Sequence, residues 1–176
     1  IECLLSDSFE QAMVLATELD ELNRERRQVE QSMQQDALEI VEKITIDDAT
    51  LPSIYCLSDE TWHQGVVGLV ASRIKERLHR PVVALAPGDG DDEWKGSCRS
   101  VEGVHIRDVL ARVETLYPGL MGKFGGHAMA AGLSLKGKNL PRFKTAIVDV
   151  MDQMTKGHDW SHVLWTDGAL QAGELS

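Results

Sequence analysis

Ser53-Ile54-Tyr55-Cys56-Leu57 reads as a strand, Val66-Val67-Gly68-Leu69-Val70-Ala71-Ser72-Arg73-Ile74-Lys75-Glu76-Arg77-Leu78 as a helix, and Pro81-Val82-Val83-Ala84-Leu85-Ala86 as a buried, valine-rich strand. The alternation continues downstream. Pro87–Asp92 is a polar loop, Glu93–Arg99 a further strand, and Ile106–Thr115 a short amphipathic helix. Met129–Leu135 follows as a strand and Leu140–Met154 as a closing helix. Strands alternating with helices define an α/β layered domain.

Upstream, Ser8 is a good N-cap, and no Gly or Pro interrupts Phe9 to Ile44. Leu15, Leu19, Leu22, Val29, Met33 and Ile40 recur at spacings near three and four, with polar Arg26 and Asp36 filling the gaps. This is a narrow apolar stripe on one long helix, suited to a connector or to half of a bundle. Thr50-Leu51-Pro52 ends it. The chain therefore divides into a helix over 1–50, an α/β domain over 51–157 and a tail over 158–176 with no clear period.

Composition bounds the function without choosing it. The 176 residues are 43% hydrophobic and 26% charged, as in ordinary globular proteins. No apolar run approaches the ~20 residues needed to span a bilayer. Ile1–Glu10 lacks the basic start and long apolar centre of a signal peptide. Cys3, Cys56 and Cys98 are far apart and odd in number, which fits reduced thiols in a cytoplasmic protein. The net charge of −10 is concentrated in residues 1–50, with 13 acidic against 4 basic side chains. From Arg73 to Lys144 the balance reverses, to 13 basic against 8 acidic. A polyanion responds to the local field, so the total does not exclude nucleic acid.

Three segments carry candidate chemistry. Phe124-Gly125-Gly126-His127-Ala128-Met129-Ala130-Ala131-Gly132-Leu133 pairs glycines, which let a ligand approach the backbone, with a histidine and almost no side-chain bulk. It suits a phosphate or a flat base; a tight turn in a packed core, with His127 hydrogen-bonded inside it, would use the same residues. Trp62-His63-Gln64-Gly65-Val66-Val67-Gly68 lies where a strand passes into a helix. The free N–H groups there can meet an anion, with His63 adding a hydrogen bond or charge. Close helix–sheet packing at Gly65 and Gly68 is the competing reading. In Gly96-Ser97-Cys98-Arg99-Ser100, alternation puts Ser97 and Arg99 on one face. A hydroxyl beside a guanidinium fork can clamp a phosphate, although a surface salt bridge also accounts for the arginine.

Other chemistries have little support. His63 and His127 have no carboxylates at metal-ligand spacing, and Asp89–Glu93 lacks calcium-loop spacing. Cys98 has no histidine neighbour, and no GxSxG elbow occurs. Arg24, Arg26 and Arg27 could touch phosphates, but Glu21, Glu25 and Glu30 lie at helical pairing distance.

Several of these segments together resemble the DHH phosphoesterase superfamily, in particular its bacterial single-stranded-DNA-specific 5′→3′ exonucleases. The carriers are Leu19–Asn23, Trp62–Gly68, Ala71–Arg77, Arg80–Val83 and above all Lys123–Leu133. The resemblance covers about Ser6 to Leu135 and runs more weakly to Ser176. It implies a long connector helix followed by a mixed-sheet α/β DHH-associated domain forming the substrate-binding half of a nuclease active in DNA repair and recombination. Ser97, Arg99, Gly125, Gly126 and His127, with His63 as a weaker member, would hold the phosphates of single-stranded DNA. No Asp-His-His triplet occurs in the chain, so the implied Mn²⁺ or Mg²⁺ centre would belong to an upstream DHH domain, with no catalytic or metal-binding residue in this chain. By the same resemblance a piece of this kind is inactive alone, and Trp160–Ser176 opens an OB-type nucleic-acid-binding domain. Cys98 departs from the small residue common among relatives. Two other classes remain: an oligonucleotide or cyclic-dinucleotide phosphodiesterase, and a non-catalytic module whose acidic helix binds a protein.

Overall fold

The computed structural model describes residues 1–42, 52–158 and 160. A short helix, α1 (Glu2–Leu5), precedes the long α2 (Phe9–Glu42). The α/β part runs β1 (Tyr55–Ser58), α3 (Val67–Leu78), β2 (Val82–Pro87), β3 (Glu93–Arg99), α4 (Ile106–Leu116), β4 (Phe124–Gly126), β5 (Ala130–Lys136) and α5 (Leu140–Met154). A single 3₁₀ turn, Gly137–Asn139, leads into α5. The expected elements form within one or two residues of their predicted ends. Two further elements, α1 and β4, have no counterpart in the periodicity of the sequence. The end expected near Ile44, the Thr50–Leu51 break and residues 161–176 of the tail lie outside the described residues.

The sheet has the order β1-β2-β3-β5-β4. β1 and β2 are parallel, joined through α3, and the remaining pairs are antiparallel. It is therefore mixed, as the resemblance implies. Alternation sends Ile54, Val83, Leu85, Cys98, Ala131, Leu133 and Leu135 to one face. There they meet α4 through Ile106, Val109, Leu110 and Val113, and α5 through Phe143, Ile147, Val150 and Met151. The other face collects Tyr55, Leu57, Val82, Ala84 and Ala86 under Val67, Val70, Ala71 and Ile74 of α3.

This second face is only partly covered. α3 lies against β2 and β3. Beyond it, Gly125 and Gly132 are exposed, so the β5–β4 side of that face stays open. α2 adds little cover. Met33 and Ala37 are buried against the α3 layer, whereas Phe9, Met13, Leu19, Leu22 and Val29 are exposed. The predicted stripe thus serves the fold only near its end; the side chain of Ile40 is outside the described residues. Arg26 pairs with Glu30 at 2.9 Å and Arg24 with Asp20 at 2.6 Å, as expected of a solvated helix face. At the far end, Trp160 packs beside the α4–α5 cluster and under the Arg80 guanidinium, 4.8 Å from its ring centre.

Candidate phosphate-binding shelf

Arg99 ends β3 at the boundary between the covered and open parts of the face. Its Nε donates to Ser72 Oγ at 3.0 Å, and its Nη1 donates to Ser97 Oγ at 2.8 Å and to the Cys98 carbonyl at 2.9 Å. Ser72 Oγ in turn donates to the Gly68 carbonyl at 3.0 Å, one helical turn back. The guanidinium thus lies against the first turns of α3. It does so because residue 68 has no side chain: a Cβ there would stand 2.9 Å from Arg99 Nη2 and 3.1 Å from Ser97 Oγ. Two edges of the fork are occupied by hydroxyl and carbonyl acceptors, while Nη2 carries no hydrogen bond among the described residues. A guanidinium fixed on two sides is preorganised for an anion on the third.

The glycine–histidine segment lies two strands away in the same sheet. Ser97 is in register with Gly132, and Gly132 with Gly125; Arg99 is in register with Ala130. The floor beside the Ser97–Arg99 pair is therefore backbone. Glycine at 125 and 132 has no packing cause, since a Cβ at Gly125 would meet nothing within 4 Å and one at Gly132 would approach only the Gly96 carbonyl, at 3.7 Å. Gly126 differs. Its φ of +142° and the Ala130 carbonyl 2.5 Å from a would-be Cβ both require glycine. The turn that follows is tied down by three backbone bonds, His127 N–H to Ala130 at 2.7 Å, Ser100 N–H to Met129 at 2.9 Å and Ile106 N–H to Ala128 at 2.9 Å. His127 is exposed there, beside the end of β3. It is not a buried core histidine.

His63 falls elsewhere. Its Nδ1 accepts the Gly65 N–H at 3.1 Å, and its own N–H points to Met33 Sδ at 3.3 Å. Its neighbour Gln64 bonds Asp89 at 2.6 Å, in the β2–β3 turn at the opposite end of β3 from Arg99. Gln64, then Lys95, hold the Asp89 carboxyl below its usual range. The register thus puts Ser97, Arg99 and Gly125 on one open face, with Gly126 and the exposed His127 in the turn at its edge, and His63 falls at the far margin. The departure at Cys98 is harmless. Its φ is not positive, and its thiol belongs to the α4–α5 core, where burial pushes its pKa above the ordinary value. Ser72 and Gly68, which seat the arginine, do not announce that role in the sequence; their one-turn spacing on α3 is the available signal.

Among the described residues no group of three or more His, Cys, Asp or Glu side chains could hold a metal ion. The donor set of this shelf is hydroxyl and guanidinium, which suits an anion and does not fit a divalent cation.

Residues 50–153 match the family model of the DHHA1 domain, and the chain belongs to that family. Within it, the similarity runs over the whole chain to the single-stranded-DNA-specific exonuclease RecJ. The identity is 47% over 176 residues to RecJ of Dickeya dadantii (strain 3937), covering 100% of this chain and 30% of that protein. It is 47% over 175 residues to RecJ of Escherichia coli (strain K12), covering 99% and 28%. The crystal structure of RecJ in complex with Mg²⁺ from Thermus thermophilus superposes with a TM-score of 0.72 at 31% identity, over 86% of this chain and 22% of that one. A crystal structure of exonuclease RecJ bound to manganese gives 0.71 at 31% identity, over 86% and 35%. The chain thus spans about a third or less of these relatives' length.

Proposed function

We propose that this chain is the substrate-binding half of a metal-dependent single-stranded DNA 5′→3′ exonuclease of DNA repair and recombination. The observation that carries the reading is the Arg99 fork, held by Ser72 and Ser97 beside a glycine floor that packing does not demand. On this reading Arg99, the Ser97 hydroxyl and His127 together hold a phosphate of the strand beside that floor. Such donors neutralise a phosphodiester and hold it still, which lowers the cost of bringing it to a nucleophile. The metals that activate water belong, on this reading, to a DHH domain outside this chain. The 176-residue chain alone is then inactive, and the whole enzyme works in the cytoplasm.

The test is activity of the whole enzyme on single-stranded DNA. Arg99→Ala and His127→Ala are each expected to lower turnover by about a hundredfold, the scale of losing one transition-state donor. Wild-type turnover in both would refute the site. Robust hydrolysis by the rigorously purified chain with manganese would refute the division of labour. Faster cleavage of dinucleotides than of long single strands would point instead to an oligonucleotide phosphodiesterase.

A second reading has one observation behind it. Phe9 is 80% exposed and Leu22 61% exposed on an acidic helix, which suits a protein partner. Helix-dependent capture of a partner, with full exonuclease activity after loss of Arg99 and His127, would favour it.

A further inference from the structure

The sheet register carries a second set of cations onto the open face. Side chains alternate along β3, so Lys95 lies on the same side as Ser97 and Arg99. Lys95 is in register with Ser134 of β5. Just before β4 the neighbouring chain bulges around that serine. Gly122 donates its N–H to the Ser134 carbonyl at 2.7 Å, and the Ser134 N–H donates to the Lys123 carbonyl at 2.8 Å. Two residues thus oppose one. The Lys123 N–H also donates to the Ser134 hydroxyl at 3.1 Å, and a Cβ at Gly122 would meet that hydroxyl at 2.8 Å. The bulge is therefore on the Ser134 side-chain face. Three rows result: Arg99–Ala130, Ser97–Gly132–Gly125 and Lys95–Ser134–Lys123. Successive rows on one strand face are about 7 Å apart.

Neither lysine is needed by the fold. The Lys95 ammonium is 3.4 Å from Asp89, but the two side chains are 43% and 80% exposed. Such a solvent-exposed pair adds little to stability. Lys123 is exposed and makes no ion pair among the described residues. The next row along changes character. Glu93 stands opposite Lys136, and the turn before it carries Asp89, Asp91 and Asp92. The positive track therefore has a defined end.

We propose that Lys95 and Lys123 form a second phosphate-binding row, engaging the backbone of single-stranded DNA one step beyond the phosphate at Ser97 and Arg99. The proposal rests on the role given to Arg99 and Ser97 above. The chemistry differs along the track. The fork of Arg99 fixes one phosphate in orientation, whereas the two ammonium groups act as movable point charges that hold a passing strand without fixing it. Asp89 competes with the strand for Lys95.

The test is titration of the full 176-residue chain with a short 5′-phosphorylated oligodeoxythymidylate, read by fluorescence anisotropy across a range of salt. Each single-strand phosphate that is no longer neutralised reduces the steepness of log K against log salt by about 0.7. Lys95→Gln and Lys123→Gln are each expected to reduce it by about that amount, and the double variant by about twice as much. Asp89→Asn is expected to tighten binding at low salt. If Arg99→Ala flattens the plot and neither lysine variant does, the second row is wrong and the first site stands. If all three leave it unchanged, or the unaltered chain does not bind, both readings fail.

Discussion

Arg99 owes its position to a residue with no side chain. A Cβ at Gly68 would press on Nη2, the free end of a flexible side chain, and not on backbone. Gly68→Ala therefore moves the arginine and spares the helix, which gains the roughly 0.5–1 kcal/mol by which alanine is favoured over glycine. The expected outcome is a protein that melts at the same or a slightly higher temperature and binds a single-stranded oligonucleotide about tenfold more weakly, or ~1.4 kcal/mol. A parallel test separates two neighbouring glycines. Gly132→Ala meets only the Gly96 carbonyl, at an ordinary contact distance of 3.7 Å, and is expected to shift stability by no more than about 0.5 kcal/mol while weakening binding. Gly126→Ala meets backbone at 2.5 Å with a positive φ and is expected to lower the melting temperature outright. Equal melting losses at both positions would contradict the distinction.

At the scale of elements, α2 is long but anchored at one end. Met33 and Ala37 are buried, 3% and 0% exposed, while the apolar residues Phe9, Met13, Leu19, Leu22 and Val29 remain in solvent. Removing residues 1–28 is expected to leave thermal unfolding of the α/β domain unchanged. Met33→Ala is expected to cost about 2 kcal/mol or more, the range for deleting buried methionine atoms. The elements differ in how plainly the sequence declares them. Helices with two-sided polarity and strands with valine runs, such as α3 and β2, show themselves by period. β4 does not, because Phe124-Gly125-Gly126 is too short and too bare to alternate; its pairing with β5 makes it a strand. The stripe on α2 shows which side is apolar, but a period does not say where along a helix a neighbour stops.

Over the whole molecule, the core sits mainly between the sheet and the α4–α5 layer, and Cys98 is sealed within it. Its folded pKa lies above the ordinary 9.0. The sign follows from proton linkage: above pH 9 the unfolded chain releases the proton and the folded chain keeps it. Stability is therefore full below pH 9 and falls as the pH rises further, and denaturation midpoints at increasing alkalinity are expected to show it. Replacing Cys98 with alanine should shallow that fall. Thiol reagents should reach Cys98 only after unfolding. The candidate site is legible in the sequence to the same degree as the core. Alternation alone puts Ser97 beside Arg99, and the glycine–histidine run stands out by composition. That these meet, and that His63 stands at the far margin, depends on the β3–β5 register and on the direction of the turn before α3. Neither is encoded in spacing.

The bare floor has a consequence for what can be told apart on it. Ala130, Gly132 and Gly125 offer no side-chain donor, acceptor or aromatic plane to a nucleobase. Discrimination among bases needs such groups, whereas charges and backbone amides read only the sugar–phosphate chain. A strand lying there would be handled without regard to its letters. Homopolymers and mixed sequences of equal length should then bind with the same affinity.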